Sequence, residues 1–218
     1  MEPGPGSRLD ALTLVDWRRM VGELYVEVRH LADSDPVAAH LLWRVEREAL
    51  YREHPQSPVP SAQRATFRAL HFPYDPALRF EVAVEPELNE EGAASAALLA
   101  LPNSGTDVLA FRPVGSLAIP FGAGPRRLSL FWMEGYAGGL FLPFRDATNG
   151  GATYGAGRYL LDGAKGADLG GDTARGTLVL DFNFSYQPSC AFDPRWSCPL
   201  APPENRLDLA VEAGERIA

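Results

Sequence analysis

The chain has 218 residues, of which 46% are hydrophobic and 22% are charged, and its formal net charge is −8. This composition is typical of a soluble globular protein that can bury a core, and the acidic charge argues against nucleic acid as a partner. No apolar run approaches the roughly 20 residues of a membrane span, and the first ten residues lack the basic and apolar regions of a signal peptide. We therefore expect a cytoplasmic protein with no membrane partner.

A first amphipathic helix is predicted after a disordered lead-in over residues 1–9. Thr13, followed three residues later by Asp16, has the spacing of a capping box, in which two side chains satisfy free backbone amides at a helix start. Apolar residues then recur every three or four positions from Leu14 to Leu31. The stripe is too short for a coiled coil, so we expect this helix to pack on the body of the domain.

A second helix is predicted from Pro36 to about Glu53. Asp35 can cap its first turn, and proline is favoured at the first helical position. The apolar side chains of this segment spread around more of the circumference, which predicts deeper burial. The sequence HPQSPVP ends the helix, and a third, short helix is predicted at Ser61–Leu70.

After residue 70 the apolar period changes to that of strands. Leu78, Phe80, Val82 and Val84 alternate with polar or small residues, as in a half-buried antiparallel strand. Further short strands are predicted at Ala96–Leu101, Val108–Phe111, Ser116–Phe121, Leu128–Trp132, Gly139–Pro143, Gly157–Leu161, Thr177–Phe184 and Leu207–Glu212. The predicted fold class is therefore α+β, with N-terminal helices packed on a mainly antiparallel β-barrel or strongly bent β-sheet.

We expect one domain over residues 1–218, with a helical part at 10–70 and a β-rich body at 71–218. Residues 141–205 of that body, called here the signature segment, are unlike ordinary core-building sequence. They contain FLPFRDATNGGATYGAGRYLLD and DFNFSYQPSCAFDPRWSCPLAPPEN, which concentrate polar, aromatic and turn-forming residues together with both cysteines. A functional surface or an unusually constrained loop is expected here.

The signature segment resembles a family of bacterial and archaeal proteins of unknown function. The resemblance rests on PF-D-T-G-TY-GRY and DFN-Y-P-C-W-CP-PPEN within the segment, and on HPQSP, FPYDPALRFE, KGADLG and AGER elsewhere in the chain. It implies no reaction. Gln187 departs from the family pattern, which has asparagine at that position, and this weakens any role for its side chain.

Several familiar chemistries are disfavoured by the motifs. All four histidines lie at or before residue 71, so the signature segment has no imidazole, and no G-x-S-x-G motif is present. The glycine-rich NGGATYGAGRY matches neither a dinucleotide fingerprint nor a Walker motif. Its glycines, Gly150, Gly151, Gly155 and Gly157, are instead expected to permit tight turns or close packing of the backbone.

Cys190 and Cys198 are separated by seven residues, too many for a redox C-x-x-C motif, and two cysteines do not complete a zinc site. Three interpretations stay open: packed thiols that frame a loop, a disulfide, and a metal-binding or nucleophilic role. Thiols are the default in a cytosolic protein. We expect no metal and no cofactor.

Candidate site residues all lie in the signature segment. The catalytic candidates are Asp146, Arg158, Asp181 and Tyr186. The ligand-binding candidates are Thr153, Tyr154, Tyr159, Asn183, Trp196, Glu204 and Asn205. Asp181 lies in an apolar strand, where a carboxylate needs a partner, and Arg158 is the predicted partner.

The predicted function is that of a small-molecule-binding protein or enzyme with a pocket formed by the signature segment. The alternative is a structural or protein-interaction module in which the segment only stabilises the fold. The ligand is an unknown small molecule, and a homodimer is left open. Residues 188–203, called here the signature loop, contain five prolines and should pack over one mouth of the barrel, with Trp196 turned inward and Glu204 and Asn205 anchoring the exit.

Overall fold

The computed structural model describes residues 8–86, 98–106, 109–135 and 138–217. Three helices come first: α1 (Arg8–Ala32), α2 (Pro36–Glu53) and the short α3 (Ser61–Arg64). Residues 1–7 of the predicted lead-in lie outside the described residues, and the remaining two already belong to α1. In the part of the chain that the model describes, no helix combines the length and the apolarity needed to cross a membrane.

Helix α1 begins five residues before the predicted capping box. Thr13 lies inside the helix, where its hydroxyl donates to the carbonyl oxygen of Leu9 at 3.0 Å instead of capping a start. The second half of the predicted stripe packs into the core through Leu24 and Val28. The first half of the stripe borders a cleft. The same apolar face of α1 therefore packs in the core at one end and lines the cleft at the other.

Helix α2 has the predicted bounds and cap, because Asp35 accepts a hydrogen bond from the amide of Ala38 at 2.9 Å. The prediction of deeper burial is wrong for one face. Val37, Leu41 and Val45, spaced by four residues, are exposed on the outside of the helix. The predicted third helix is also too long, because α3 ends at Arg64 and the chain continues toward a strand.

An eight-stranded antiparallel sheet follows the helices and curls into a half-barrel, which confirms the α+β class. Its strand order is β7-β6-β5-β4-β2-β9-β8, with β3 paired to β4, and a two-stranded sheet joins β1 to β10. The strands are β1 (Leu70–His71), β2 (Arg79–Pro86), β3 (Leu99–Ala100), β4 (Ala110–Ile119), β5 (Arg126–Met133), β6 (Gly139–Phe144), β7 (Arg158–Asp162), β8 (Gly171–Asp172), β9 (Thr177–Asp181) and β10 (Glu215–Arg216).

One backbone pair bridges the open side of the half-barrel. Tyr159 on β7 and Tyr186, a few residues after β9, exchange two hydrogen bonds, N–H to carbonyl, at 2.9 and 3.0 Å. The edge strand β7 is therefore joined, through two tyrosines of the signature segment, to the chain that follows β9.

Two predicted strands are one strand with a bulge. Val108–Phe111 and Ser116–Phe121 become the single strand β4, although position 108 lies outside the described residues, as do 96 and 97 of the strand predicted before it. The register shifts between Pro113 and Gly115, where a proline has no amide to donate to the ladder. The bulge turns the apolar side chains of β4 from one face of the sheet to the other.

The core has two apolar layers because strand side chains alternate between faces. On β5, Phe131 points toward α1 and α2, whereas Leu128 and Leu130 point to the opposite face. The helix-side layer includes Trp43, which is fully buried. The other layer is completed by Val211 and its neighbours in the C-terminal tail, which lie inside the half-barrel.

Two more strand predictions differ from the structure: the one at Thr177–Phe184 is too long, and the one at Leu207–Glu212 is wrong. β9 ends at Asp181 because its carboxylate accepts the amide of Asn183 at 3.0 Å and turns the chain into a 3₁₀ helix over Phe182–Phe184. Leu207–Glu212 forms no strand. The carbonyl oxygen of Val211 accepts a hydrogen bond from the Arg158 guanidinium instead of joining a ladder.

Candidate functional site

A cleft of about 210 Å³ lies between α1, the end of α2 and the signature loop. Its floor carries Tyr159 and Tyr186, the pair that bridges the half-barrel. The residues that line it are Leu14, Trp17, Arg18, Val21, Tyr25, Arg47, Tyr51, Gln56, Pro58, Tyr159, Lys165, Ala167, Tyr186, Gln187, Pro188, Ser189, Trp196, Ser197 and Cys198. Helices from the first third of the chain and the signature segment thus build one site.

Arg47 is the central cation of the cleft. Its Nε donates to Oε1 of Glu215 at 2.7 Å, and its guanidinium carbon lies 4.3 Å from the ring centre of Tyr51 and 4.5 Å from that of Tyr186. Burial opposes the charge of Arg47, but the Glu215 carboxylate outweighs that effect, and the pKa is raised. The guanidinium is therefore a permanent charge held between two aromatic rings.

Lys165 is the single lysine of the chain and a second cation at the cleft. Its Nζ lies 2.9 Å from Oδ2 of Asp162, which also accepts from the Tyr186 hydroxyl at 3.4 Å. Burial alone would lower the pKa of Lys165, but the carboxylate of Asp162 outweighs it, so the pKa is raised. The ammonium is thus fixed beside the tyrosine pair.

The tyrosines of the cleft keep their protons at neutral pH. Burial raises the pKa of Tyr25 to about 12, and it raises the pKa values of Tyr159 and Tyr186 well above their ordinary range. The Tyr159 hydroxyl donates to the carbonyl oxygen of Pro199, which ties β7 to the signature loop. These phenols therefore act as neutral donors and apolar surface.

Two tryptophans line the cleft, one from α1 and one from the signature loop. Trp17 of α1 stacks on Tyr51 with ring centres 5.9 Å apart. Trp196 of the signature loop is half-buried, and its Nε1 donates to the carbonyl oxygen of Pro58 at 3.3 Å. A flat apolar ligand would find aromatic surface in this lining.

The charge around the cleft is one-sided. Arg18, Arg47 and Lys165 line it, and none of the described residues that line it is acidic. Glu215 forms an ion pair with Arg47, and Asp162 forms one with Lys165. Arg18 is exposed and has no ion-pair partner among the residues that the structure describes.

Asp146 and Arg158 form a sealed network away from the cleft. Both side chains are 0% exposed, and Nη2 of Arg158 lies 2.8 Å from Oδ2 of Asp146. The guanidinium also donates to the carbonyl oxygens of Val211, at 2.9 Å, of Glu215, at 3.2 Å, and of Ala213. Burial lowers the pKa of Arg158, and the Asp146 carboxylate opposes that shift.

The predicted pairing of Asp181 with Arg158 is wrong. Asp181 is fully buried, as expected, but its Oδ2 lies 3.3 Å from Arg79 and accepts from the Tyr74 hydroxyl at 3.0 Å. Arg79 is its cross-strand partner in the register of β2 with β9, whereas β7 lies on the far side of the sheet order. Burial raises the pKa of Asp181, and hydrogen bonds from Asn183 and Tyr74 oppose the shift.

The other predicted ligand-binding residues divide between structural contacts and the cleft. Buried Thr153 bonds Thr148 at 2.7 Å, and the side-chain amide of Asn183 bonds Asp181 at 2.7 Å. Asn205 anchors the exit of the signature loop as expected, since its amide group bonds the backbones of Ser129 and Pro143. Tyr154 contacts Cys190, and Glu204 is exposed. Three of the predicted residues line the cleft: Tyr159, Tyr186 and Trp196.

Two of the four predicted glycines, Gly150 and Gly157, adopt a positive φ that favours glycine, whereas Gly151 and Gly155 make only ordinary contacts. Gly157 has a φ of 104°, and a Cβ atom there would lie 2.5 Å from the carbonyl oxygen of Phe144 on the neighbouring strand. The glycine thus lets β7 begin close against β6, and strand alternation then places Arg158 and Tyr159 on opposite faces.

Sequence reasoning missed Arg47, Glu215 and Lys165. One signal was present: Arg47 lies on the same helical face as His40, Trp43 and Tyr51, at spacings of three and four, so a charge occupied an apolar stripe. The solitary lysine was a second signal. Its place beside β7 could not be read from the sequence because it depends on the turn after that strand.

Comparison with known proteins agrees with the resemblance noted in the sequence. The model of a family described as "Protein of unknown function (DUF1684)" matches residues 65–216. A similar solved structure is the solution NMR structure of an uncharacterized protein of Haloarcula marismortui, with a TM-score of 0.59 and 31% identity, covering 86% of this chain and 97% of that one. No curated protein matches. The expectation of a bacterial and archaeal family of unknown function is confirmed.

Proposed function

The chain belongs to the family of proteins of unknown function DUF1684, and we propose that it binds a small organic anion with a flat apolar body in the cleft. The observation that carries the proposal is the one-sided lining, which contains three cations and two tryptophans and, among the described residues, no acidic side chain. Carboxylates and similar anions pair with guanidinium and ammonium groups, while aromatic walls bury apolar surface.

The three cations differ in exposure and in their ion-pair partners, so we expect them to have different roles in binding. The Arg47 side chain is 12% exposed and engaged by Glu215, so it orients the tyrosine rings more than it meets a ligand. Lys165 is half exposed, and Arg18 is exposed without an acidic partner in the described part of the chain. An anionic group entering from solvent would therefore meet Arg18 and Lys165 first.

Matched pairs of ligands test the charge requirement. Aromatic and aliphatic monocarboxylates are titrated against their uncharged amides, with intrinsic tryptophan fluorescence as the readout because Trp17 and Trp196 face the cleft. Saturable binding of an aromatic acid, weaker for its amide and weakened by salt, is the expected result. Equal responses to acid and amide would reject the anion, and no saturable response across the panel would reject the binding function.

Arg18→Gln is expected to weaken binding of the aromatic acid two- to fivefold, about the worth of one exposed charge interaction. The control is Arg19→Gln on the same helix, whose charge is paired with Asp16 at 3.3 Å and does not line the cleft. Calorimetric titration of both variants measures the difference. Equal losses in the two would mean that long-range attraction, and not the cleft, sets the affinity.

Trp196→Ala is expected to abolish saturable binding while lowering the free energy of unfolding by only about 1–2 kcal/mol, because the ring is half-buried. Leu200→Ala is the matched control, since Leu200 is half-buried in the same loop but outside the cleft. It should cost similar stability and leave binding intact. A stability loss of roughly 3–5 kcal/mol for Trp196→Ala would instead make the loop a plug of the core.

One observation favours the alternative, a purely structural module. Asp146 and Arg158, the most polar group of the signature segment, are sealed and outside the cleft. Their contacts tie the C-terminal tail into the half-barrel. If no member of the panel binds and Trp196→Ala costs roughly 3–5 kcal/mol of stability, this alternative is favoured.

A further inference from the structure

The two cysteines of the chain meet beside the cleft. Both are free, and the backbone amide of Cys190 lies 3.3 Å from the sulfur of Cys198, to which it donates a hydrogen bond. The chain therefore returns on itself across the signature loop and brings the backbone of Cys190 against the sulfur of Cys198.

Neighbouring residues hold each cysteine in this position. Cys190 lies in a 3₁₀ turn, Ser189–Ala191, and its sulfur accepts from the Tyr154 hydroxyl at 3.9 Å. The amide of Cys198 donates to the Ser104 hydroxyl at 2.9 Å. The contact is thus built by three separate parts of the chain and does not depend on the loop alone.

The two thiols differ in chemistry and in access. The neighbouring Cys198 thiol, together with the hydroxyls of Ser104 and Tyr154, outweighs the effect of burial and lowers the pKa of Cys190 to about 6, which favours its thiolate at neutral pH. The proximity of Cys190, followed by burial, raises the pKa of Cys198. Cys190 is half-buried, whereas Cys198 is buried but lines the cleft. This is the arrangement of an attacking thiolate beside a thiol that resolves the product.

We propose that Cys190 and Cys198 form a reversible dithiol–disulfide pair that is oxidised by hydrogen peroxide or an organic hydroperoxide. The Cys190 sulfur attacks a peroxide oxygen, the O–O bond breaks, and the leaving oxygen departs as water or alcohol after taking up a proton. The Cys198 sulfur then attacks the sulfenic acid on Cys190, the S–O bond breaks, and water leaves with the Cys198 proton. The two thiols lose two electrons and two protons, and the peroxide is reduced.

Reduction reverses the step by thiol exchange. A small thiol attacks one sulfur of the disulfide and forms a mixed disulfide, and a second thiol attacks that bond and releases the protein thiol. The half-buried Cys190 gives a reductant access to the bond. The pair is therefore a reducible site and not a permanent crosslink, in keeping with a reducing compartment.

Mass spectrometry of the intact full-length protein tests the proposal directly. One equivalent of hydrogen peroxide should remove two hydrogens, abolish both thiols in a titration under denaturing conditions, and give one crosslinked peptide containing Cys190 and Cys198. Dithiothreitol should restore both thiols. Since the chain has only these two cysteines, each species is unambiguous. Persistent free thiols, oxygen addition without crosslinking, or disulfide-linked dimers would overturn the proposal.

Two serine variants separate the roles of the thiols. Cys198→Ser should stop at the sulfenic acid on Cys190, which dimedone labels, and Cys190→Ser should react at least tenfold more slowly than the wild type. Oxidation of the wild type should slow as the pH falls below about 6, because the thiolate of Cys190 is then protonated. Equal rates for the two variants, or a rate unchanged between pH 5 and 8, would count against Cys190 as the attacking group.

Discussion

Arg158→Met is expected to lower the free energy of unfolding by about 3–5 kcal/mol, because the substitution leaves the Asp146 carboxylate buried without its cation. Both side chains are fully buried, so water cannot replace the lost partner. The carbonyl oxygens of Val211 and Glu215 lose their donor at the same time. The loss is therefore much larger than the deletion of a surface charge would cause.

Urea denaturation of the variant and of a matched control measures the effect. The control is Arg175→Met, which removes a similar arginine–carboxylate contact of 3.1 Å to Glu81, but between exposed side chains. It should cost no more than about 1 kcal/mol. Asp146→Asn should also be strongly destabilising, since it leaves the guanidinium as the uncompensated charge. If the buried and exposed variants shift the midpoint equally, the sealed network does not stabilise the fold.

Lowering the pH from 7 to 4 is expected to cost about 3 kcal/mol of stability through His40 alone. Burial, with weaker repulsion from His71 and Arg44, lowers the pKa of His40 to about 4 from an ordinary 6.5. The unfolded chain therefore takes up a proton near pH 6.5 that the folded chain refuses until about pH 4. Stability is complete above pH 6.5 and is lost as the pH falls through this window.

The packing around His40 explains the shift. Its ring lies 5.3 Å from Phe184, 5.3 Å from Tyr74 and 6.0 Å from His71, measured between ring centres. Burial likewise lowers the pKa of His71 to about 4. A charge on either imidazole would lie among aromatic rings and face a second imidazole, so both contribute acid sensitivity of the same sign.

Thermal unfolding across this pH range tests the assignment. His40→Gln should make the pH dependence of the melting temperature between pH 7 and 4 shallower, because glutamine takes up no proton, while His71 accounts for the part that remains. The same substitution at His30, which is exposed on α1, is the control and should follow the wild-type curve. A His40→Gln curve as steep as that of the wild type would place the acid-sensitive group elsewhere.

An element could be predicted from the sequence where residues close together in the chain determine its conformation. The alternation around Phe80 and Val82 identified β2, and Asp35 with Pro36 placed the start of α2, because each signal depends on neighbours in sequence. The tail at Leu207–Glu212 was mistaken for a strand. Its apolar residues enter the core as an irregular segment, held by a guanidinium that is distant in sequence.

The candidate site was predicted only where the signature segment forms it. Tyr159, Tyr186 and Trp196 were chosen for their setting among strands and turns, and they line the cleft. Arg47 and Glu215 stand 168 positions apart, and nothing local to either residue indicates the other. A site shared by a helix and a distant loop becomes visible only after the chain has folded.

The sequence separation within the Arg158 network has a consequence for synthesis on the ribosome. Arg158 is made 55 residues before Ala213, whose carbonyl it binds. At the usual rate of about 5–20 residues per second, roughly 3–11 s separate the synthesis of Arg158 from that of its partners in the tail. Until then the interior of the half-barrel lacks Val211 and its neighbours, and its apolar wall is open. During this interval the nascent chain exposes that apolar wall to aggregation and to chaperone binding.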